Sequence, residues 1–162
     1  MFNKTITFDM DGTIANLYGV ENWLDYLIAE NTLPYEIAAP MIDFYELYLA
    51  LEALRAQGFR IEVVSWSSKN GTKAYNKEVR KAKIDWLSRE GIKECFDSIH
   101  VVKYGTKKHK VVRETGILFD DDARVRKEWV KHGGIAIDPQ EHSILNALNN
   151  WIVEEEDFSY EE

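Results

Sequence analysis

The chain has 162 residues, enough for one domain with a hydrophobic core and too few for two full domains. Its hydrophobic content of 45% argues against a disordered chain, and its net charge of −8 argues against non-specific binding of nucleic acid. No apolar run approaches the roughly 20 residues that span a bilayer, and the single cysteine, Cys95, cannot form an internal disulfide. We therefore expect a cytoplasmic protein that does not bind membranes.

The first half of the chain predicts two strands separated by helical segments. Alternating β-branched residues predict a strand over residues 4–8, and FRIEVVS predicts another over residues 59–64. Between them, apolar residues at helical spacing predict helices over residues 21–30 and 41–56. Prolines at positions 34 and 40 predict a loop or an interrupted segment over residues 31–40.

The second half repeats the alternation and ends in an acidic tail. It predicts strands over 98–102, 117–119 and 135–137, and helices over 72–90, 107–114, 123–132 and 141–153. The alternation predicts an α/β fold: a three-layer, Rossmann-like parallel sheet with helices on both faces. We expect one domain over residues 1–153 and a disordered tail over 154–162, where EEEDFSYEE has six acidic residues and no basic ones.

Polar residues follow each of the first four predicted strands. They are Asp9 and Asp11, then Ser65, then the lysines of residues 103–108, then Asp120 to Asp122. Ligands of an open parallel sheet bind beyond the carboxyl ends of its strands, so we expect these side chains to lie together. Grouped carboxylates repel each other unless a cation is present, and a set of oxygen ligands favours Mg²⁺ over zinc. Such a set suits phosphoryl transfer through a carboxylate nucleophile.

The order of these residues resembles a known family. DMDGT, a serine at a strand end, a lysine and then Asp-Asp after a fourth strand are similar to the four motifs of the haloacid dehalogenase (HAD) superfamily, and here they span Asp9 to Asp122. The stretch ILFDDDARVRKEWVKHGG also looks like the fourth motif of polynucleotide 3′-phosphatases and 5′-deoxyribonucleotidases. The second aspartate favours a phosphatase or phosphomutase over the dehalogenases, which lack it.

The resemblance implies a role for each catalytic position. Asp9 would be the nucleophile, and Asp11 would protonate the leaving group and then deprotonate water. Ser65 would hydrogen-bond the phosphoryl group. Lys107 or Lys108 would neutralise charge on Asp9 and the phosphoryl group; GTKKHK also offers Lys110, and we favour Lys108.

The resemblance also implies a Mg²⁺ site and a cap. Asp9, the backbone carbonyl of Asp11 and Asp121 would hold the ion, with Asp120 or Asp122 in support. The insertion over about residues 14–40 would form a small helical cap, which suits a mid-sized or macromolecular phosphate ester. We expect a nucleotide or nucleic-acid end as substrate. The alternatives are a sugar or other small-metabolite phosphatase, and an inactive binding module of the same fold.

Several other residues have simpler interpretations. We expect Trp66 to pack in the core or cap rather than to stack on a nucleobase. The bases of residues 69–93, and those of residues 103–113 apart from the motif lysine, are expected to form solvated faces. His100, His132 and His142 lack metal-ligand spacing, so we assign them no role.

Overall fold

The structure is a computed structural model that describes residues 3–159, and from residue 153 onward it describes the backbone only. Single 3₁₀ turns occur at Leu17–Gly19, Lys93–Cys95 and Lys108–Lys110. The strands and helices within the described range are β1 (Thr5–Phe8), β2 (Ala15–Asn16), α1 (Trp23–Ile28), α2 (Leu33–Ile37), β3 (Ala39–Pro40), α3 (Phe44–Ala56), β4 (Arg60–Trp66), α4 (Lys73–Arg89), β5 (Ser98–Val102), β6 (Ile117–Phe119), α5 (Ala123–Lys131), β7 (Ile135–Ile137) and α6 (Ile144–Ser159).

The main sheet contains five parallel strands in the order β5-β4-β1-β6-β7. β1 is therefore central, and its last residue, Phe8, is in register with Val63 of β4 and Phe119 of β6. The residues that follow β1, β4 and β6 thus emerge side by side at one edge of the sheet. The predicted parallel α/β fold is confirmed.

Alternating side chains cover both faces of this sheet. Ile6, Phe8 and Phe119 are fully buried in a cluster that also contains residues of α3, α4 and α6. Leu118 points to the opposite face, where it packs with Trp129 of α5. Helices therefore cover both faces of the sheet, as predicted. α3, α4 and α6 contribute to the larger core cluster, and α5 lies on the opposite face.

The insertion after β1 is a compact unit fastened to α4. β2 and β3 pair in antiparallel fashion, and α1 and α2 lie between them in the chain. Leu17 and Tyr35 of the insertion pack against Tyr75 and Val79 of α4. The indole of Trp86 on α4 also donates to the carbonyl of Ala38, at 2.8 Å. The insertion is therefore anchored beside the edge of the sheet where the motif residues lie.

Three predicted segments differ in the structure. Residues 31–40 contain α2 and β3, and residues 107–114 contain only the 3₁₀ turn Lys108–Lys110 in place of a helix. β4 continues to Trp66, because Trp66 still pairs with Val102 of β5.

The C-terminal helix is longer than expected. The backbone of α6 is helical to Ser159, where disorder was predicted from residue 154. Residues 160–162 lie outside the described residues, and disorder there stays a prediction. Among the described helices, none combines the length and the apolar character needed to cross a membrane.

Candidate active site

Asp9 lies at the centre of the candidate site because it follows the central strand β1. Its backbone N–H donates to the Phe119 carbonyl at 2.9 Å, which extends the pairing with β6 by one residue. Its Oδ1 accepts a hydrogen bond from Lys108 Nζ at 2.9 Å, and its Oδ2 accepts one from Thr13 Oγ1 at 3.0 Å. The carboxylate is therefore held from two sides, and Asp9 also lines a cavity.

Lys108, not Lys107, is the lysine of the site. Its ammonium lies 2.9 Å from Asp9 Oδ1 and 2.8 Å from Asp120 Oδ2, and its side chain is buried. Burial alone would lower the pKa of Lys108, but the two carboxylates outweigh burial and raise it. Lys107 points away and forms an exposed ion pair with Glu128 at 3.1 Å.

The three consecutive aspartates after β6 have different surroundings. Asp120 accepts from Lys108 through Oδ2 and from the backbone N–H of Asp122 through Oδ1, at 2.9 Å. Asp122 caps α5, where its Oδ1 accepts from the N–H of Arg124 at 2.8 Å. Asp121 is partly exposed and lines the cavity. Asp120 and Asp122 line the same cavity, but each is held by a cation or a helix N-terminus, whereas the side chain of Asp121 contacts Asp9.

Gly12 allows Asp121 to approach the DMDGT loop. It adopts a φ of +78°, which other residues rarely adopt. A Cβ atom at this position would lie 2.3 Å from Asp121 Oδ2. The glycine of the motif therefore provides both the turn and the space that bring a second acidic segment close to Asp9.

The acidic cluster has the ligand chemistry of a Mg²⁺ site. Asp9, Asp120 and Asp121 each offer one carboxylate oxygen, and these oxygens lie within 4.8 Å of one another. Burial, followed by the charge of Asp9, raises the pKa of Asp120 to about 7 and that of Asp121 to about 8. Carboxylates that resist ionisation this strongly are suited to a bound cation, and oxygen-only ligands fit Mg²⁺. The predicted contribution of the Asp11 carbonyl stays a prediction.

Asp11 belongs to a second hydrogen-bonded group, centred on Lys83. The Lys83 ammonium donates to Asp11 Oδ2, Ser65 Oγ and the Trp66 carbonyl, each at 2.7 Å. These contacts use all three of its protons. Burial raises the pKa of Asp11, and the charge of Lys83 opposes that increase. Asp11 also lines the cavity, so its carboxyl group has one buried and one accessible side.

The structure corrects the position of Ser65. Ser65 lies inside β4 rather than after it, is fully buried, and uses its hydroxyl to accept from Lys83. Ser67 and Ser68 directly follow β4 and line the cavity. Ser67 and Ser68, and not Ser65, are therefore the serines of this strand end that line the cavity. The predicted contact between Ser65 and the phosphoryl group stays a prediction.

Lys83 was not recognised in the sequence, where the bases of residues 69–93 were expected to form a solvated face. It is only 1% exposed. A signal was available, because the buried residues Val79 and Trp86 lie four residues before and three residues after Lys83, on the same helical face. A lysine in an apolar stripe indicates a buried partner.

The cavity above Asp9 has a volume of about 680 Å³. Its walls combine polar residues of the sheet edge with aromatic residues of the insertion and neighbouring loops, namely Tyr18, Trp23, Tyr35, Trp66 and Tyr104. The ring centroids of Trp66 and Tyr104 lie 4.8 Å apart, and the Trp66 indole donates to the Thr106 carbonyl at 2.9 Å. Trp66 therefore packs on the loop that follows β5, not in the core or the cap as expected, and it also lines the cavity.

Comparison with known proteins supports the fold assignment. No protein-family model matches the chain, and no curated protein matches it by sequence. The crystal structure of a D,D-heptose 1,7-bisphosphate phosphatase from Burkholderia thailandensis matches with a TM-score of 0.51 and 14% identity, over 82% of this chain and 75% of that chain. An uncharacterised protein from Corynebacterium glutamicum matches over 94% of this chain and 93% of its own, with 13% identity and a TM-score of 0.45, too weak a likeness to support a conclusion.

The first of these neighbours is a phosphatase of the HAD family. At 14% identity, the likeness concerns the fold and not the substrate. The parallel sheet with a central β1, and the neighbour found for it, agree with the order of the four motifs. The protein therefore has the fold of the haloacid dehalogenase superfamily.

Proposed function

We propose that the protein is a Mg²⁺-dependent phosphatase that hydrolyses a phosphate monoester through an aspartyl-phosphate on Asp9. One observation carries this proposal: Asp9 and Asp11 line the same cavity, and each accepts a hydrogen bond from a different buried lysine, Lys108 and Lys83 respectively. Asp9 is oriented by Lys108 and Thr13 and can act as a nucleophile. Asp11 has a raised pKa and can act as an acid.

In the first step, a carboxylate oxygen of Asp9 attacks the phosphorus atom, and the bond to the leaving oxygen breaks. Asp11 gives its proton to that oxygen, so the leaving group departs as a neutral alcohol. Burial favours the protonated form of Asp11 before this step. Lys108 lies against Asp9 and offsets negative charge on the carboxylate and the incoming phosphoryl group.

In the second step, water attacks the phosphorus atom of the aspartyl-phosphate. Asp11, now ionised, takes a proton from this water, and the bond between Asp9 and phosphorus breaks to release inorganic phosphate. Lys83 stabilises the ionised Asp11 between the two steps through its 2.7 Å contact. Asp11 therefore ends the cycle protonated, as it began.

Asp9 and Asp121 are the residues that would hold Mg²⁺. Asp120 would support them, and its carboxylate accepts a hydrogen bond from Lys108. When bound, Mg²⁺ would neutralise charge on the phosphoryl oxygens and orient them. Ser67 and Ser68 line the same cavity, and a serine hydroxyl there would donate to the phosphoryl oxygens.

We propose a nucleotide or a nucleic-acid end as the substrate. The aromatic lining of the cavity supports this class, because Trp66, Tyr104 and Trp23 line it and bases stack on aromatic side chains. The volume of about 680 Å³ is large enough for a nucleoside phosphate, since ligand cavities commonly measure about 300–1,000 Å³.

Phosphate release from a generic aryl phosphate tests the reaction. We expect release that requires Mg²⁺, stops on addition of EDTA and is lost in Asp9→Asn while the thermal unfolding curve is retained. Full activity of Asp9→Asn would contradict the nucleophile assignment. Failure of the wild-type protein to turn over any phosphate ester would favour the inactive binding module.

A substrate panel then tests the class of leaving group. It should compare 5′- and 3′-mononucleotides, 3′-phosphorylated oligonucleotides and sugar phosphates by kcat/KM. We expect nucleotides or oligonucleotides to have the highest values. A preference for sugar phosphates would overturn the nucleotide assignment and leave the phosphatase assignment intact.

A further inference from the structure

Two histidines and a glutamate form a cluster outside the cavity. His109, in the 3₁₀ turn Lys108–Lys110, stacks on His132, with ring centroids 3.7 Å apart and an interplanar angle of 12°. Glu128 lies within α5, and His132 lies one helical turn later, directly after the last residue of that helix. The two side chains therefore lie on the same helical face. One ligand atom from each of the three residues lies within 4.8 Å of the others.

These side chains offer free lone pairs. Partial burial, followed by the neighbouring His132, lowers the pKa of His109, so this imidazole is neutral at pH 7. His132 Nδ1 lies 2.9 Å from the carbonyl oxygen of Glu128 and 3.8 Å from Glu128 Oε1, and a proton on Nδ1 that is shared with this carbonyl would leave Nε2 to bind a metal. The hydrogen bond from Lys107 lowers the pKa of Glu128, which is therefore ionised.

We propose that His109, Glu128 and His132 form a site for a divalent transition metal such as Zn²⁺. Two imidazoles and one carboxylate are a set that binds Zn²⁺, whereas Mg²⁺ prefers oxygen ligands only. Ligand atoms around tetrahedral Zn²⁺ lie about 3.4 Å apart, and each imidazole lone pair lies in the plane of its ring. The two stacked rings must therefore rotate out of their nearly parallel arrangement to share one ion. The site is chemically distinct from the acidic cluster of Asp9, Asp120 and Asp121.

Lys107 is the competitor for this site. Its ammonium lies 3.1 Å from Glu128 Oε1 and would have to move away when a metal binds. The side chain of Lys107 is 57% exposed, and an exposed ion pair of this kind is weak. Displacing Lys107 therefore opposes metal binding only slightly.

The consequence of binding would be local. His109 directly follows Lys108, and α5 directly follows the aspartates of the acidic cluster. A metal shared by His109 and His132 would fasten the turn that carries Lys108 to α5, two segments that otherwise touch through side chains. The proposal does not depend on the protein being a phosphatase.

Cobalt provides a direct test, because tetrahedral Co²⁺ with nitrogen ligands absorbs visible light strongly and replaces Zn²⁺. The full-length protein should be titrated with Co²⁺ in excess Mg²⁺, which fills the acidic cluster. We expect an intense visible band that saturates at one equivalent and disappears when Zn²⁺ is added. His109→Ala and His132→Ala should each remove the band, while the control His142→Ala should retain it.

Two further variants test the role of Lys107 as competitor and distinguish this site from the acidic cluster. Lys107→Met should tighten binding by up to about fivefold, because Glu128 is released from its ion pair. Asp121→Asn should leave the band unchanged. The proposal is overturned if no equivalent binds, if the band survives both histidine substitutions in proteins with normal unfolding curves, or if Asp121→Asn removes it.

Discussion

The two buried lysines beneath the DMDGT loop have different surroundings. Lys108 contacts two carboxylates, Asp9 and Asp120, and Asp121 offers a third oxygen within 4.8 Å of theirs. Lys83 contacts one carboxylate, Asp11, and two neutral oxygens. We refer to these groups as the Lys108 half and the Lys83 half of the site.

The difference in charge explains the different chemistry expected of each half. The Lys108 half contains one cation and three carboxylates, two of which have raised pKa values. In the Lys83 half, one cation faces one carboxylate, so the charges balance. A shortage of positive charge suits a metal ion, and a balanced pair suits reversible proton transfer.

Removing Lys108 should have the largest effect. Lys108→Met leaves Asp9 and Asp120 buried without their cation, so we expect phosphate release to fall to background. We also expect the free energy of unfolding to fall by about 3–5 kcal/mol, measured by urea denaturation. Lys107→Met is the matched control, and its exposed ion pair should contribute less than about 1 kcal/mol. Equal effects of the two variants would refute the assignment of Lys108.

Removing Lys83 should change the pH dependence of the reaction. The charge of Lys83 lowers the pKa of Asp11, so Lys83→Met should raise it further. Because the first step needs protonated Asp11, the alkaline limb of kcat/KM should move to higher pH, and kcat should fall by about 10–100-fold. Lys81→Met, which removes an exposed ion pair with Asp85 on the same helix, should change neither quantity. An unshifted limb in Lys83→Met would show that Lys83 does not act through Asp11.

Gly12→Ala should weaken Mg²⁺ binding. The new Cβ would lie 2.3 Å from Asp121 Oδ2, and the positive φ adds a backbone cost of about 1–2 kcal/mol. Gly58→Ala is the control, because its φ of +92° carries a similar cost but no atom lies within 4 Å of the new Cβ. Calorimetric titration with Mg²⁺ should show weaker binding for Gly12→Ala only. Equal affinities in the two variants would argue against Asp121 as a ligand.

The stabilisation by Mg²⁺ should grow with pH. Asp120 and Asp121 have pKa values raised to about 7 and 8, so the metal-free folded state holds protons that the unfolded state releases above pH ~4. In EDTA, the free energy of unfolding should therefore fall as the pH rises from ~4 to ~8. Bound Mg²⁺ would compensate the carboxylate charge in place of these protons, so the fall should be smaller in Mg²⁺. We expect the difference in Tm between Mg²⁺ and EDTA to widen from pH ~6 to pH ~9. A constant difference would contradict the raised pKa values.

The sequence predicted the features that depend on local pattern. Asp9, Asp11 and Asp120 follow apolar segments whose spacing predicts strands, and parallel strands bring such residues to one edge. The choice between Lys107 and Lys108 could not be made in the same way. It depends on the path of a loop that forms a single 3₁₀ turn where a helix was expected.

The remaining differences arise from contacts between residues that are distant along the chain. β4 extends beyond Ser65 because β5 pairs with Trp66, and this pairing places the serine inside the strand. Lys83 is buried because the insertion packs on its face of α4 and β4 offers Ser65 and the Trp66 carbonyl as partners, although α4 is rich in charged residues. His109 and His132 belong to separate segments of the chain, on either side of β6, and only the tertiary fold stacks them.

The central claim is that Asp9 carries the phosphoryl group and Asp11 moves the protons. Asp11→Asn removes the base of the second step but leaves Asp9 intact, and an activated aryl phosphate needs little help from an acid in the first step. Mass spectrometry of Asp11→Asn after mixing with such a substrate and Mg²⁺ should reveal one added phosphoryl group, localised to the peptide that contains Asp9. The double variant Asp9→Asn, Asp11→Asn should add none. Turnover by Asp11→Asn without an adduct, or an adduct on another residue, would contradict the account.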